Sequence, residues 1–135
     1  MYFLDTDTCI EILRGKLPYA HKRMRESSPE LFGIPAIVVA ELRLGAQNSR
    51  DPEEGNRAVD SFLRPFHVIP FDEPCAFHYA DIRHDLQKQG TMIGANDLLI
   101  AATALAHGAV LVTNNTREFL RVKGLHIESW AEIDL

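Results

Sequence analysis

Gly94–Asn115 reads GANDLLIAATALAHGAVLVTNN. Between Leu98 and Ala106 only Thr103 interrupts an apolar run, so apolar residues fall on every side of any helix drawn through it. Such a helix is buried nearly all round. Gly108 stops it, and Ala109–Val112 follows as a short apolar strand ending at Thr113. A buried helix feeding a buried strand is half of a parallel α/β unit. One carboxylate, Asp97, stands at the mouth of the helix. A charge beside so much apolar surface requires a partner or a metal. Alternatively, Asp97 or Asn96 caps the helix and meets its dipole. The stretch by itself leaves both readings open.

The rest of the chain repeats the strand-then-helix order. Tyr2–Leu4 is a short apolar strand with Asp5 at its C-terminal end, the side on which open parallel sheets bind ligands. Thr8 and Glu11 have capping-box spacing and predict a helix over Cys9–Arg14. Pro18 opens a second helix carrying His21, Lys22, Arg23 and Arg25, the densest basic patch in the chain. That patch is either a solvated helix face or a phosphate-binding surface. Leu31–Ile34 reads as a strand and Pro35–Asn48 as a helix. On that helix Glu41 has Ile37, Val38, Leu44 and Gly45 as its neighbours at three and four residues, so it projects from an apolar face. A glutamate there is a buried ion pair, a rim position or a functional group.

After the polar Arg50–Gly55 connection, Asn56–Leu63 reads as a short amphipathic helix and Phe66–Phe71 as a strand. Asp72–Gln89 is the longest helix; its His78 and His84 lack the spacing of a helical metal pair. Thr116–Leu120 predicts a helical turn and His126–Glu128 an edge strand. The alternation predicts one domain over residues 1–135: a three-layer α/β/α sandwich around a mostly parallel central sheet.

Composition narrows the class. At 135 residues, with 46% hydrophobic and 24% charged residues, the chain has the make-up of a soluble globular domain, with no run able to span a bilayer. The N-terminus lacks the features of a signal peptide. Cys9 and Cys75 lie far apart without metal-ligand spacing, which suits free thiols in a reducing cytoplasm. A formal net charge of -5 argues against a nucleic-acid binder held by bulk positive charge. It is compatible with acids gathered in one pocket around a cation. Asp5, Glu41 and Asp97 are placed for such a pocket, because packed like charges raise one another's pKa unless a cation intervenes. Oxygen-only ligands select Mg²⁺ or Mn²⁺, ions that activate water and favour in-line phosphoryl displacement.

Four motifs, in order along the whole chain, carry a resemblance. They are Leu4-Asp5-Thr6; Ala40-Glu41-Leu42 followed by Gly45; Gly94-Ala95-Asn96-Asp97 followed by Ile100-Ala101-Ala102; and Leu111-Val112-Thr113-Asn114-Asn115 followed by Glu118-Phe119. The sequence resembles the PIN-domain ribonucleases and, within them, the VapC toxins of bacterial toxin–antitoxin pairs. Asn115-Thr116-Arg117-Glu118-Phe119, with Gly124-Leu125 and Trp130, resembles the branch that cuts initiator tRNA in its anticodon stem-loop.

The resemblance implies a Mg²⁺-dependent endoribonuclease. Asp5 and Asp97 would ligate the metal, and Glu41 would complete the pocket as ligand or water-orienting base. It also implies a homodimer and a VapB antitoxin lying across apolar grooves of the early helices, with Ile10, Leu13, Val38 and Leu42 as candidate lining, and an antitoxin arginine in the acidic pocket. Lys22, Arg23 and Arg25 would then hold RNA phosphates. Many PIN domains carry a fourth acid just after the strand ending at Thr113, where this chain has Asn114 and Asn115. Glu118, one helical turn beyond Asn115, is the expected substitute, with Asn115 and Thr113 as additional candidates.

Two other readings compete. Asp5-Thr6-Asp7-Thr8 after a strand also resembles the first motif of haloacid-dehalogenase-type phosphatases, with Asp5 as nucleophile and Asp7 as general acid. Against it, Asp97 precedes Thr113 instead of following it, and Cys9 replaces the usual Thr or Val. The other is a catalytically inactive RNA- or protein-binding PIN module, which intact Asp5, Glu41 and Asp97 argue against.

Overall fold

The structure, a computed structural model, describes residues 1–131. Its centre is β1 (Tyr2–Leu4), flanked on one side by β2 (Phe32–Pro35) and on the other by β4 (Val110–Val112). β3 (His67–Ile69) and β5 (His126–Glu128) form the two edges, giving the order β3-β2-β1-β4-β5. Every pairing is parallel, with Phe3 opposite Gly33 on one side and Leu111 on the other. Parallel strands need covering on both faces. The helices supply this: α1 (Thr6–Leu13), α2 (Pro18–Glu26), α3 (Ala36–Gln47), α4 (Pro52–Leu63), α5 (Glu73–Gln89), α6 (Ala95–His107) and the short α7 (Thr116–Phe119). The result is a three-layer α/β/α sandwich.

The decisive helix is buried as its sequence requires. Leu98 and Ile100–Ala104 are all buried, and the intruding Thr103 hydroxyl donates to the Leu99 carbonyl at 2.8 Å within the same helix. Gly108 ends α6 in the left-handed conformation, φ 60°. The sheet is equally dry. Phe3, Leu4, Phe32, Ile34, Leu111 and Val112 are buried, each worth about 1.5–3 kcal/mol of transfer free energy.

Gly33 is required by close approach. A Cβ there would lie 2.8 Å from a Phe3 ring carbon and 2.9 Å from Ile69 Cγ1. Gly33→Ala is therefore expected to destabilise the fold by about 1–3 kcal/mol through overpacking, read as a lower midpoint in urea.

Three local expectations are corrected. Helix α1 begins at Thr6, not Cys9, and its cap is Asp5, whose side chain accepts from the Thr6 N–H at 2.8 Å. Thr8 is instead buried and its hydroxyl points at the Val112 carbonyl, 3.3 Å away. Helix α4 starts four residues earlier than Asn56, because Asp51 caps it and Pro52 occupies its first turn. Val38 is fully buried, so it belongs to the core and not to a surface groove.

Candidate active site

The C-terminal ends of β1 and β4 lie side by side, and α6 opens beside them. Asp5 leaves β1 with its backbone N–H bonded to the Val112 carbonyl at 2.9 Å. Its side chain is buried, and both carboxylate oxygens are taken. Oδ1 accepts from the Thr6 N–H at 2.8 Å and Oδ2 from the Thr113 hydroxyl at 2.7 Å. Burial pushes its pKa up, although these two hydrogen bonds pull the other way. Glu41 arrives from α3. Its Oε1 accepts from the Thr6 hydroxyl at 2.6 Å and its Oε2 from the Asn96 carboxamide at 3.3 Å. Leu44 and Gly45, counted as apolar neighbours, face solvent, so Glu41 sits at the rim of the cleft.

Asp97 does not cap α6. The cap position is Gly94, with no side-chain capping bond, and Asp97 lies in the first turn. A Cβ on Gly94 would come within 3.2 Å of Asp97 Oδ2, so glycine leaves this carboxylate the room it occupies. The Asp97 pKa is pushed up to about 7, first by burial and then by the charges of Asp5, Glu118, Glu41 and Asp7. That set of charges is itself a roster of the cleft.

Glu118, on α7, reaches back across the opening. It accepts from the Gly94 N–H at 3.0 Å and from the Asn115 carboxamide at 2.6 Å, and these bonds hold its pKa below the ordinary value. The choice between Glu118 and Asn115 therefore dissolves: the two side chains are one hydrogen-bonded unit. Thr113 serves Asp5 directly, and its oxygen also accepts from the Asn115 N–H at 2.9 Å.

None of Asp5, Glu41, Asp97 and Glu118 forms an ion pair among the described residues. Nor do three acid, histidine or cysteine side chains there converge to ligating distance. Each acid other than Asp97 is tied to neutral donors, and like charge presses on Asp5 and Asp97. An all-oxygen set with excess negative charge fits a hard divalent cation, and the cleared space over Asp97 fits it too.

The basic patch divides. Lys22 and Arg25 are exposed on α2. Arg23 is not a free cation. Its guanidinium lies 4.4 Å over the Trp130 ring and 5.1 Å over Tyr2, donates to the Tyr2 hydroxyl at 3.0 Å and pairs with Glu128 at 3.5 Å. It ties α2 to β5 and to Trp130, and its place among the phosphate-binding candidates is withdrawn. Thr6, Asn96 and Gly94 were missing from the candidates. Their only signal in the sequence was adjacency to Asp5 and Asp97 within the quoted motifs.

Comparison with known proteins matches this architecture to a family. The PIN domain model matches residues 2–125. The chain is 38% identical over 132 residues to ribonuclease VapC2 of Rickettsia felis, covering 96% of this chain and 98% of that one. It is 36% identical over 129 residues to the tRNA(fMet)-specific endonuclease VapC of Salmonella typhimurium, covering 96% and 97%. Among solved structures, VapBC2 of Rickettsia felis bound to a promoter DNA fragment gives a TM-score of 0.90 at 35% identity, covering 96% of this chain and 98% of that one. DNA-bound VapBC of Salmonella typhimurium gives 0.91 at 36% identity, covering 96% and 97%. The chain belongs to the PIN-domain family, among its VapC ribonucleases.

Proposed function

We propose that this chain is the toxin of a toxin–antitoxin pair, a Mg²⁺-dependent endoribonuclease working in the cytoplasm as one nuclease domain over residues 1–135. The observation that carries the reading is the gathering of Asp5, Glu41, Asp97 and Glu118 around one mouth, none of them in an ion pair among the described residues. PIN-domain nucleases depend on divalent metal, and family membership removes the phosphatase alternative. Asp5 and Asp97 are the proposed ligands, with Mn²⁺ as a substitute ion. When bound, Mg²⁺ supplies positive charge against phosphate oxygens and acidifies water. Glu41 orients the attacking water or completes the ligand set from the rim. Glu118, with Asn115, fills the fourth-acid position and holds the entry of α6 through Gly94. Lys22 and Arg25 remain the proposed phosphate contacts, and the similarity to a tRNA(fMet)-specific endonuclease supports a structured tRNA loop as substrate.

A VapB-type antitoxin is the proposed partner, and a homodimer of this chain the proposed assembly. The relatives solved as VapBC complexes support the first. So do two apolar grooves on the early helices. One, of about 330 Å³, is lined by Ile10, Leu13, Leu42, Ala46 and Val59. The other, of about 570 Å³, is lined by Leu13, Met24, Phe62 and Phe66. Such grooves suit an amphipathic helix.

The test is direct. Purified chain and an initiator-tRNA transcript should give one dominant cut in the anticodon stem-loop with Mg²⁺ and none in EDTA. The antitoxin encoded beside it should block the cut at equimolar amount. A folded chain that cuts no RNA with Mg²⁺ or Mn²⁺ would overturn the proposal.

A further inference from the structure

Glu41 is the acid with the least intrinsic reason to stay in place. Its side chain is long, it sits at a rim, and its own helix offers it no donor. Two other helices hold it. The 2.6 Å contact from the Thr6 hydroxyl has the length of a charge-assisted O–H···O⁻ bond, while the Asn96 contact at 3.3 Å is weaker. A carboxylate only accepts, so the hydroxyl hydrogen is committed to Glu41. Thr6 has a second donor, its backbone N–H, and that one holds Asp5 Oδ1 at 2.8 Å. One nearly buried residue thus grips two acids from two different elements, one through the main chain and one through the side chain. Asn96 stands next to Asp97 and reaches Glu41 in the same manner.

We propose that Thr6 is a positioning residue that fixes Glu41 against Asp5 for cleavage, with Asn96 as the weaker second tether. The inference rests on the reading that Glu41 takes part in the reaction. Thr6→Val is the informative change. It keeps the shape, the burial and the N–H that caps α1 on Asp5, and removes only the hydroxyl. The expected result is a fall in kcat of about ten- to a hundredfold, the usual cost of losing a partner that orients an active group, with KM unchanged. Thr6→Ser should recover most of that loss.

In a Glu41→Ala background, measured in single turnover with excess enzyme, adding Thr6→Val should cost nothing more, because the two changes remove the same interaction. A folded Thr6→Val enzyme with wild-type kcat, or equal losses for Ser and Val, overturns the inference. Wild-type kcat in Glu41→Gln overturns instead the reading of Glu41 on which it rests. Should Thr6→Val not fold, Asn96→Ala tests the same clamp from its exposed arm. There a severalfold fall in kcat at constant KM supports the clamp and an unchanged kcat refutes it.

Discussion

Asp97→Asn is expected to lower RNA cleavage by about a thousandfold or more, since it removes the negative charge proposed to hold the cation that meets the phosphate's developing charge. The same change should alter stability in the opposite sense. The Asp97 carboxyl has an ordinary value of 3.8 and is pushed up to about 7 in the fold. Between those values the folded chain keeps a proton that the unfolded chain has lost, so the unfolded state binds fewer protons and stability falls as pH rises. The contribution is absent below the lower value and complete above the upper one.

Full conversion of the shift would give about 4 kcal/mol; Asp97 is only half-buried, and solvent screening reduces this to roughly 1–2 kcal/mol. Melting curves in EDTA should therefore show Asp97→Asn gaining on wild type between about pH 4 and pH 7, the window between the ordinary and the shifted value. Mg²⁺, which binds the native state, should raise the melting temperature of wild type and not of the variant. Curves that stay parallel across pH, or equal stabilisation by Mg²⁺, would remove Asp97 from the site.

Asp5 separates charge from architecture. Asp5→Asn should reduce cleavage as severely as Asp97→Asn, yet leave the protein folded. An asparagine oxygen still accepts from the Thr6 N–H and caps α1, and its amide donates to the Thr113 oxygen in a bond of reversed direction. Asp5→Ala should be equally inactive and less stable. It forfeits a cap worth about 1 kcal/mol and leaves the buried Thr113 hydroxyl hydrogen without its acceptor, at about 1–3 kcal/mol. Urea midpoints would show the alanine variant well below the asparagine one. Substantial cleavage by Asp5→Asn would mean that its charge is not used.

Much of this was legible in local pattern. The apolar run over Leu98–Ala106, the glycine that ends it and the short strand after it sufficed to place α6 and β4, because a helix buried all round leaves little choice of surroundings. Asp5, Glu41 and Asp97 stood out because each is badly placed for stability alone. What stayed illegible was decided by partners distant in sequence. Thr8 and Glu11 have capping-box spacing, but the Thr8 hydroxyl finds Val112 and the cap passes to Asp5. Arg23 sits in a basic run, yet Trp130 and Glu128 claim it. Val38 shares the helical pattern of groove residues, and only the packing of α3 shows that it faces inward. Glu118 and Asn115 looked like rivals because spacing cannot tell competition for a position from a hydrogen bond between two occupants.

The central strand of the sheet precedes both of its neighbours in the chain. Its two neighbours are β2 and β4, and the hydroxyl that steadies Asp5 lies 108 residues further along the chain. Asp97 and Glu118 also lie far downstream. On the ribosome, where roughly 5–20 residues are added per second, several seconds pass in which Asp5 and Glu41 are already out and the other half of the cleft does not yet exist. Long-range parallel pairing is slow to form as well. The nascent chain is therefore harmless by topology: a nuclease cleft whose first acid is Asp5 is completed only when Asp97, Thr113 and Glu118 have followed.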